Sequence, residues 1–303
     1  MTECERIIKE GIIPETFLLP ETRCDFFVDE QRKKIWAVEI DLFLEFARVC
    51  KKHDLIFWGD GGTLLGAVRH DGFIPWDDDI DIIMPRKDYN RLMEIGSLEF
   101  SHPYFLQNPH TDHHYGYSFA KLRNSNTTCI PRVFVGAGFN HGIHIDIFPL
   151  DNIVLDSFEE EKKCIKNHIM KCSSYMKRNN VDLLDERQLE NYEKYITESP
   201  CEEYDEIQRI CSAYENVYSE YVANCTVTSL KSENQIWRKE WFNKTIYHKF
   251  ENIMIPMPVS IKERLMAQYG DYMVLPPMEK RGFWHPNVIW DPDRPYEDYI
   301  KDV

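Results

Sequence analysis

The segment WGDGGTLLGAVRHDGFIPWDDDIDIIMP, residues 58–85, decides how this chain folds. It places Asp77, Asp78, Asp79 and Asp81 within five residues of one another. Carboxylates this close repel each other and are costly to keep ionised away from water. Such a cluster is either a solvated acidic loop or a site for something positively charged, and the residues around it distinguish the two.

From Asp77 onward, polar and apolar residues alternate as they do in a β-strand. Ile80, Ile82 and Met84 fall on one face, and Asp79 and Asp81 fall on the other. A solvated loop has no need for interleaved isoleucines, so the pattern favours a buried strand. Paired carboxylate oxygens suit Mg²⁺ or Mn²⁺ better than zinc. The pattern therefore predicts a divalent-metal site at Asp79 and Asp81.

A second segment, HGIHIDIFPLD, repeats this design. Ile143, Ile145 and Ile147 share one face of a predicted strand. His144 and Asp146 lie on the opposite face. Asp146 is the candidate third carboxylate, although a lone aspartate on a strand is more often a surface residue. His144 is a ligand, a hydrogen-bond partner or a core histidine, and the last of these is the commonest case.

A glycine pair lies between a predicted strand and a predicted helix. The apolar segment LIFWG, residues 55–59, is typical of a short buried strand, and TLLGAVR is typical of a short helix. Backbone N–H groups at the start of a helix bind phosphate, and glycine lets a ligand come close. Gly61, Gly62 and Thr63 are therefore candidates for binding an anionic donor, although a glycine pair also occurs in plain turns.

The net charge of −15 argues against general nucleic-acid binding, which requires a basic surface. An anionic substrate would need a local cluster of bases. Arg69, Lys121 and Arg123 are the candidates, and the last two share a face of a predicted strand at residues 117–123. Each of them is otherwise an ordinary surface base.

The rest of the chain is typical of a water-soluble protein. No apolar run approaches the roughly 18 residues of a membrane span, and nine cysteines without a C-x-x-C pair indicate reduced thiols in a cytoplasm. Apolar spacing predicts helices over residues 29–53, 156–179 and 202–224. A strand is predicted at residues 251–258, followed by a helix at 260–270.

The segments GTLLGAVRHDGFIPWDDDIDI and HIDIFPLD together resemble the LicD family of phosphotransferases, which has distant kin in the fukutin-related proteins. The resemblance runs from about residue 43 to residue 149 and recurs in YGDYMVLPP near the end of the chain. It implies a nucleotidyltransferase-type fold in which a glycine pair precedes a strand with two aspartates and a third acid lies on a neighbouring strand. The positions that match are Gly61, Gly62, Asp79, Asp81 and Asp146.

The resemblance also implies an activity. Family members move a phosphorylated alcohol, typically phosphocholine from CDP-choline, to a sugar hydroxyl of a cell-surface glycan such as teichoic acid, lipopolysaccharide or capsule. The fukutin-related kin use CDP-ribitol, so the motif leaves the alcohol open. We expect Asp79, Asp81 and Asp146 to be both catalytic residues and ligands of Mg²⁺ or Mn²⁺, with a CDP-alcohol as donor and a glycan or lipid-linked glycan as acceptor.

The predicted fold class is α/β (α+β), with a mixed sheet. Residues 26–155 would form the nucleotidyltransferase-like core, residues 156–248 a helical region, and residues 249–303 a segment that packs back on the core. The expected location is the cytoplasm, including the inner face of the membrane. Two alternatives stay open: a glycosyltransferase that uses a nucleotide-sugar with an Asp-x-Asp metal site, and a non-catalytic binding protein on the same fold.

Overall fold

A mixed β-sheet organises the chain in a computed structural model that describes residues 1–227, 232–282 and 288–300. The strands are β1 (Glu21–Arg23), β2 (Phe26–Val28), β3 (Trp58–Gly59), β4 (Asp81–Pro85), β5 (Tyr104–Gln107), β6 (Ala120–Asn124), β7 (Thr128–Pro131), β8 (Ile143–Asn152), β9 (Tyr221–Ala223), β10 (Ile236–Arg238), β11 (Thr245–Phe250), β12 (Ile253–Pro258) and β13 (Val288–Asp291). The helices are α1 (Glu3–Lys9), α2 (Glu30–Lys52), α3 (Gly61–His70), α4 (Arg86–Glu99), α5 (Leu155–Met176), α6 (Glu186–Lys194), α7 (Pro200–Cys211), α8 (Ser232–Gln235), α9 (Ile261–Tyr269) and α10 (Glu297–Ile300).

The long strand β8 holds the main sheet together. Along one edge it pairs in parallel with β4, in the register Asp81 opposite Asp146. Along the other edge its first half pairs antiparallel with β6, and its last two residues pair with β9. Strands β3, β5 and β10 complete the seven-stranded sheet. Parallel and antiparallel pairs within one sheet, flanked by helices, confirm the predicted α/β class.

Helix α2 covers the apolar face of this sheet. Asp29 caps its first turn by accepting a hydrogen bond from the Arg32 backbone N–H at 2.8 Å. The apolar residues from Ile35 to Val49 whose helical spacing predicted α2 are buried against the sheet. Ile143, Ile145 and Ile147 of β8 are fully buried in the same core. The predicted helix over residues 29–53 and the apolar face of the strand are both confirmed.

The predicted helix over residues 202–224 is wrong in its second half. Helix α7 ends at Cys211, and residues 221–223 form strand β9, which pairs with Asp151 and Asn152 at the end of β8. Tyrosine and valine tolerate either structure, and the free edge of β8 favours the strand. Two predicted strands are also shorter than expected: β3 is limited to two residues and β4 begins at Asp81.

Elements from later in the chain also join the core. Strands β9 and β10, within residues 156–248, extend the main sheet, and β12 packs against β3. Glu251, between β11 and β12, accepts hydrogen bonds from Arg23 and from the Phe73 backbone N–H at 3.1 Å. This contact fixes the loop that leads into the acidic segment. The division of the chain at residues 155 and 248 stays a prediction.

None of the helices in the described part of the chain combines the length and the apolar character needed to cross a membrane.

Candidate functional site

One row of side chains runs across three neighbouring strands of the main sheet. Asp81 of β4 lies opposite Asp146 of β8, and Asp146 lies opposite Lys121 of β6. The backbone N–H of Asp146 also donates to the Ile80 carbonyl at 2.9 Å, so the pairing of the two strands begins before Asp81. The two acidic strands that the sequence predicts separately are therefore direct neighbours.

The three preceding aspartates form a tight group next to this row. Oxygen atoms of Asp77, Asp78 and Asp79 lie within 4.8 Å of one another. Helix α2 fixes their loop, because Arg32 Nη1 and Trp36 Nε1 donate to the Asp77 carbonyl at 2.6 and 3.1 Å. Sequence reasoning did not identify these two residues. The available signal was the i, i+4 spacing of Arg32 and Trp36, which places both side chains on one side of the predicted helix.

Negative charge accumulates at this site. Burial raises the pKa of Asp81 well above its usual range, and the nearby carboxylates of Asp79 and Asp146 raise it further. Burial and the same acidic loop raise the pKa of Glu39 on α2. A group of carboxylate oxygens that destabilise one another's ionised forms suits a hard divalent cation. Carboxylate oxygens of this kind suit Mg²⁺ by their chemistry, and the group whose oxygens lie within 4.8 Å of one another is Asp77, Asp78 and Asp79. Binding of the ion by Asp79, Asp81 and Asp146 stays a prediction.

The glycine pair allows the start of α3 to press against these acids. Gly61 has a φ of +51°, and a Cβ atom there would lie 2.5 Å from Oδ2 of Asp81. A Cβ atom on Gly62 would collide with the carboxylate of Asp77. The Thr63 hydroxyl accepts a hydrogen bond from the Asp81 backbone N–H at 2.8 Å, and Thr63 is buried. These contacts position the acids, and direct binding of a donor by Gly61, Gly62 and Thr63 stays a prediction.

Two of the three predicted bases lie beside the acids. Lys121 Nζ forms an ion pair with Asp146 Oδ1 at 2.5 Å. Burial lowers the pKa of Lys121, while Asp146 acts in the opposite direction. Arg123 donates to the Gln107 side chain and to the Gly142 carbonyl, the latter at 2.6 Å. Both are buried, so neither is an ordinary surface base.

These bases and the acidic loop share a cavity of about 60 Å³, which we call the β6 cavity. Its acidic, basic and histidine lining residues are Asp78, Asp79, Lys121, Arg123, His141 and His144. Arg69 is not among the residues that line it. Instead, Arg69 Nη1 donates to the Tyr272 carbonyl at 2.9 Å, and its guanidinium lies 6.0 Å from the Trp76 ring centroid. The tertiary structure thus joins Lys121 and Arg123 in a cavity that Arg69 does not line, and binding of a donor by Arg69 stays a prediction.

Two further residues near the site were missed by sequence reasoning. Asp60, just before the glycine pair, forms a buried ion pair with Arg264 of α9. The Arg264 guanidinium also lies 3.5 Å from the Trp237 ring centroid. Because these partners lie 204 positions apart, no local pattern could have paired them. The ion pair ties helix α9 to the start of α3.

Comparisons with known proteins relate this chain to one family. Residues 54–191 match the family model described as LicD/FKTN/FKRP, nucleotidyltransferase domain. The chain is 27% identical over 247 residues to the lipopolysaccharide cholinephosphotransferase LicD of Haemophilus influenzae. The aligned region covers 77% of this chain and 88% of that protein.

Two uncharacterized proteins match a much shorter stretch of the chain. Those of Rickettsia prowazekii and Rickettsia typhi are 50% and 48% identical over 44 residues. That stretch is 14% of this chain, and 16% and 14% of theirs. The family match and the similarity to the Haemophilus protein confirm the resemblance to the LicD family found in the sequence.

Proposed function

We propose that this chain transfers phosphocholine from CDP-choline to a sugar hydroxyl of a cell-surface glycan, with the help of a divalent metal. Its residues 54–191 match the LicD-type nucleotidyltransferase model. The observation that carries the proposal is the row Asp81, Asp146 and Lys121, with Asp79 beside it, inside the matched region. The name of the Haemophilus relative supports choline as the alcohol and lipopolysaccharide as the acceptor class.

The proposed reaction is a single displacement at phosphorus. The acceptor hydroxyl oxygen forms a bond to the phosphorus of phosphocholine, the bond from that phosphorus to the bridging oxygen breaks, and CMP leaves. A bound Mg²⁺ would neutralise charge on the donor phosphates. Asp79 and Asp81 would hold the ion. Asp146 would have a mixed role: it would touch the ion, orient the acceptor hydroxyl and accept its proton. Positioning and electrostatic stabilisation supply most of the rate in such transfers.

The donor assay tests this proposal directly. With Mg²⁺ and a lipopolysaccharide acceptor, we expect CMP release from CDP-choline and none of UDP from UDP-sugars. Release of UDP with transfer of the sugar would favour the glycosyltransferase alternative. Binding of CDP-choline without turnover, unchanged by EDTA, would favour the non-catalytic alternative and contradict the proposal.

Lys121→Ala and Arg123→Ala should each weaken CDP-choline binding in the presence of Mg²⁺. Both side chains line the β6 cavity next to Asp79, and each would lose a charge-assisted contact with a donor phosphate. The expected loss of affinity is on the order of 10- to 100-fold. Isothermal titration calorimetry with CDP-choline measures it.

Arg48→Ala and Lys52→Ala are the matched controls for this measurement. Both bases are exposed near the end of α2, where they pair with Glu45 and Glu99. Their replacement should leave donor affinity within a few-fold of the parent. If Lys121→Ala and Arg123→Ala also bind CDP-choline as tightly as the parent, the phosphate-binding role is wrong.

A further inference from the structure

We infer that a second cavity, on the same face of the main sheet as Asp81 and Asp146, binds an acidic sugar of the acceptor glycan away from the hydroxyl that reacts. The inference rests on the proposed function and goes beyond it, because it assigns an acceptor site and requires a negative charge on the acceptor. It is carried by the position of this cavity, its excess of basic side chains and its continuation into a neighbouring cavity.

The second cavity, which we call the β9 cavity, has a volume of about 420 Å³, and Trp58, Leu150 and Val222 are among the apolar residues that line it. Side chains alternate along β8, so Leu150 projects from the same face of the sheet as Asp146. Val222 of β9 lies opposite Asn152, two positions beyond Leu150, and therefore shares that face. From Asp146 to Leu150 the strand advances about 13 Å. The cavity and the acids are thus parts of one surface.

An apolar cluster separates the β9 cavity from the acids. Ile83 and Phe148 lie opposite each other on β4 and β8, between the two sites. Both are buried in a cluster with Trp58 and Phe242. A ligand that reaches from the acids to the β9 cavity therefore crosses over this cluster. Since the separation exceeds the length of one sugar ring, the sugar in the β9 cavity is a different one from the sugar that reacts.

The β9 cavity is basic in a chain whose net charge is −15. Among the described residues, Arg86, Lys87 and Lys239 line it together with a single acid, Glu215. Asp151 forms an ion pair with Arg86, so the two exposed lysines are the bases that face an incoming anion. Their charge favours a sugar that carries a carboxylate or a phosphate over a neutral one.

The β9 cavity continues into a second depression of about 320 Å³, because Lys239 and Asn243 line both. A nucleoside fills one cavity of this size, whereas a glycan chain occupies several in succession. The order of acids, β9 cavity and neighbouring depression therefore favours the acceptor chain over the nucleoside of the donor. Contacts with remote sugars supply binding energy that positions the reacting hydroxyl.

The Lys87→Ala, Lys239→Ala double variant tests this inference, with CMP release from CDP-choline as the readout. With the oligosaccharide part of lipopolysaccharide as acceptor, the KM for the acceptor should rise about tenfold. The values of kcat and of the KM for CDP-choline should stay near those of the parent. With methyl galactoside, a neutral single sugar, parent and variant should behave alike, because this acceptor reaches only the acids.

Two further variants serve as controls. Lys87→Arg, Lys239→Arg keeps both charges and should retain a nearly parental KM for the acceptor. Lys51→Ala, Lys166→Ala removes the same formal charge from exposed lysines that are outside the lining of both cavities in the described part of the chain, and should change nothing. Phosphatase treatment of the oligosaccharide and reduction of its carboxylates then identify the anionic group. If the difference between parent and Lys87→Ala, Lys239→Ala survives both treatments, the cavity does not read charge and the inference is wrong.

Calorimetric binding of the oligosaccharide without donor separates this inference from the proposed function. If no CDP donor is used, the transfer proposal fails, and weaker oligosaccharide binding by the double alanine variant still supports the acceptor site. Equal binding by parent and variant would overturn the inference whatever the donor result. A higher KM for CDP-choline with an unchanged KM for the acceptor would also overturn it, because the β9 cavity would then hold the donor. Should the double variant unfold, Lys87→Ala alone is measured in the same way.

Discussion

The Asp79→Asn, Asp81→Asn double variant should lose Mg²⁺-dependent CMP release from CDP-choline altogether while remaining folded. An amide oxygen is a much poorer ligand for a hard cation than a carboxylate oxygen. Asparagine has nearly the shape of aspartate, so the close approach of Gly61 to residue 81 is retained. The loss of CMP release should therefore come from the loss of metal-binding carboxylates and not from a change in side-chain packing.

Stability without metal should hold or rise in this double variant. Because burial and nearby carboxylates raise the pKa of folded Asp81, its ionised form is destabilised at neutral pH. The contribution of Asp81 to stability is present below the pKa of unfolded aspartate, about 3.9, and is lost as the pH rises through the raised pKa of the folded state. Asparagine does not ionise, so the double variant does not lose stability in this way as the pH rises. Its free energy of unfolding should therefore exceed that of the parent most clearly at neutral pH.

Urea unfolding in EDTA and CMP release in Mg²⁺ measure the two effects. The Asp156→Asn, Asp182→Asn double variant is the control, because both aspartates are exposed on the region after β8. It removes the same formal charge and should keep parental turnover. Full turnover by the Asp79→Asn, Asp81→Asn variant would rule out the metal-site assignment.

Asp146→Asn should bind CDP-choline almost normally and turn it over at least ~100-fold more slowly, the lower range for loss of a positioned base. Asp146 lies between Asp81 and Lys121 in the row across the sheet, and its charge acts on both side chains. Asparagine still offers one oxygen to Lys121, whose Nζ lies 2.5 Å from the native carboxylate. We expect Asp146→Asn to keep its affinity for CDP-choline and to lose the ability to accept the proton of the acceptor hydroxyl.

The same strand provides the control for Asp146. Asp151, five residues further along β8, forms a buried ion pair with Arg86 outside the candidate site. Asp151→Asn should lower the free energy of unfolding while leaving kcat of the folded enzyme near the parental value. If donor affinity of Asp146→Asn collapses together with turnover, Asp146 is only a metal ligand. Turnover within a few-fold of the parent would exclude it from the site.

Much of the framework that carries these acids could be predicted from local patterns. The spacing of apolar residues predicted α2, and the alternation of isoleucines with acids predicted the strands of Asp81 and Asp146. The same alternation did not show that both faces of β8 are covered, so Asp146 is more buried than a half-exposed strand implies. The strand β9 was missed because its pairing with β8 depends on residues far away in the chain.

By itself, the sequence determined which residues carry charge and which of them alternate on strands. The tertiary structure alone decided which of these residues meet. It paired Lys121 with Asp146, joined Asp60 to Arg264, held the Asp77 carbonyl with Arg32 and Trp36, and placed Arg69 away from the β6 cavity. The spacing of apolar residues in the sequence indicates only the direction of a side chain relative to its own strand or helix. Ion pairs between distant segments depend on sheet order and register, which are set by burial of the whole core.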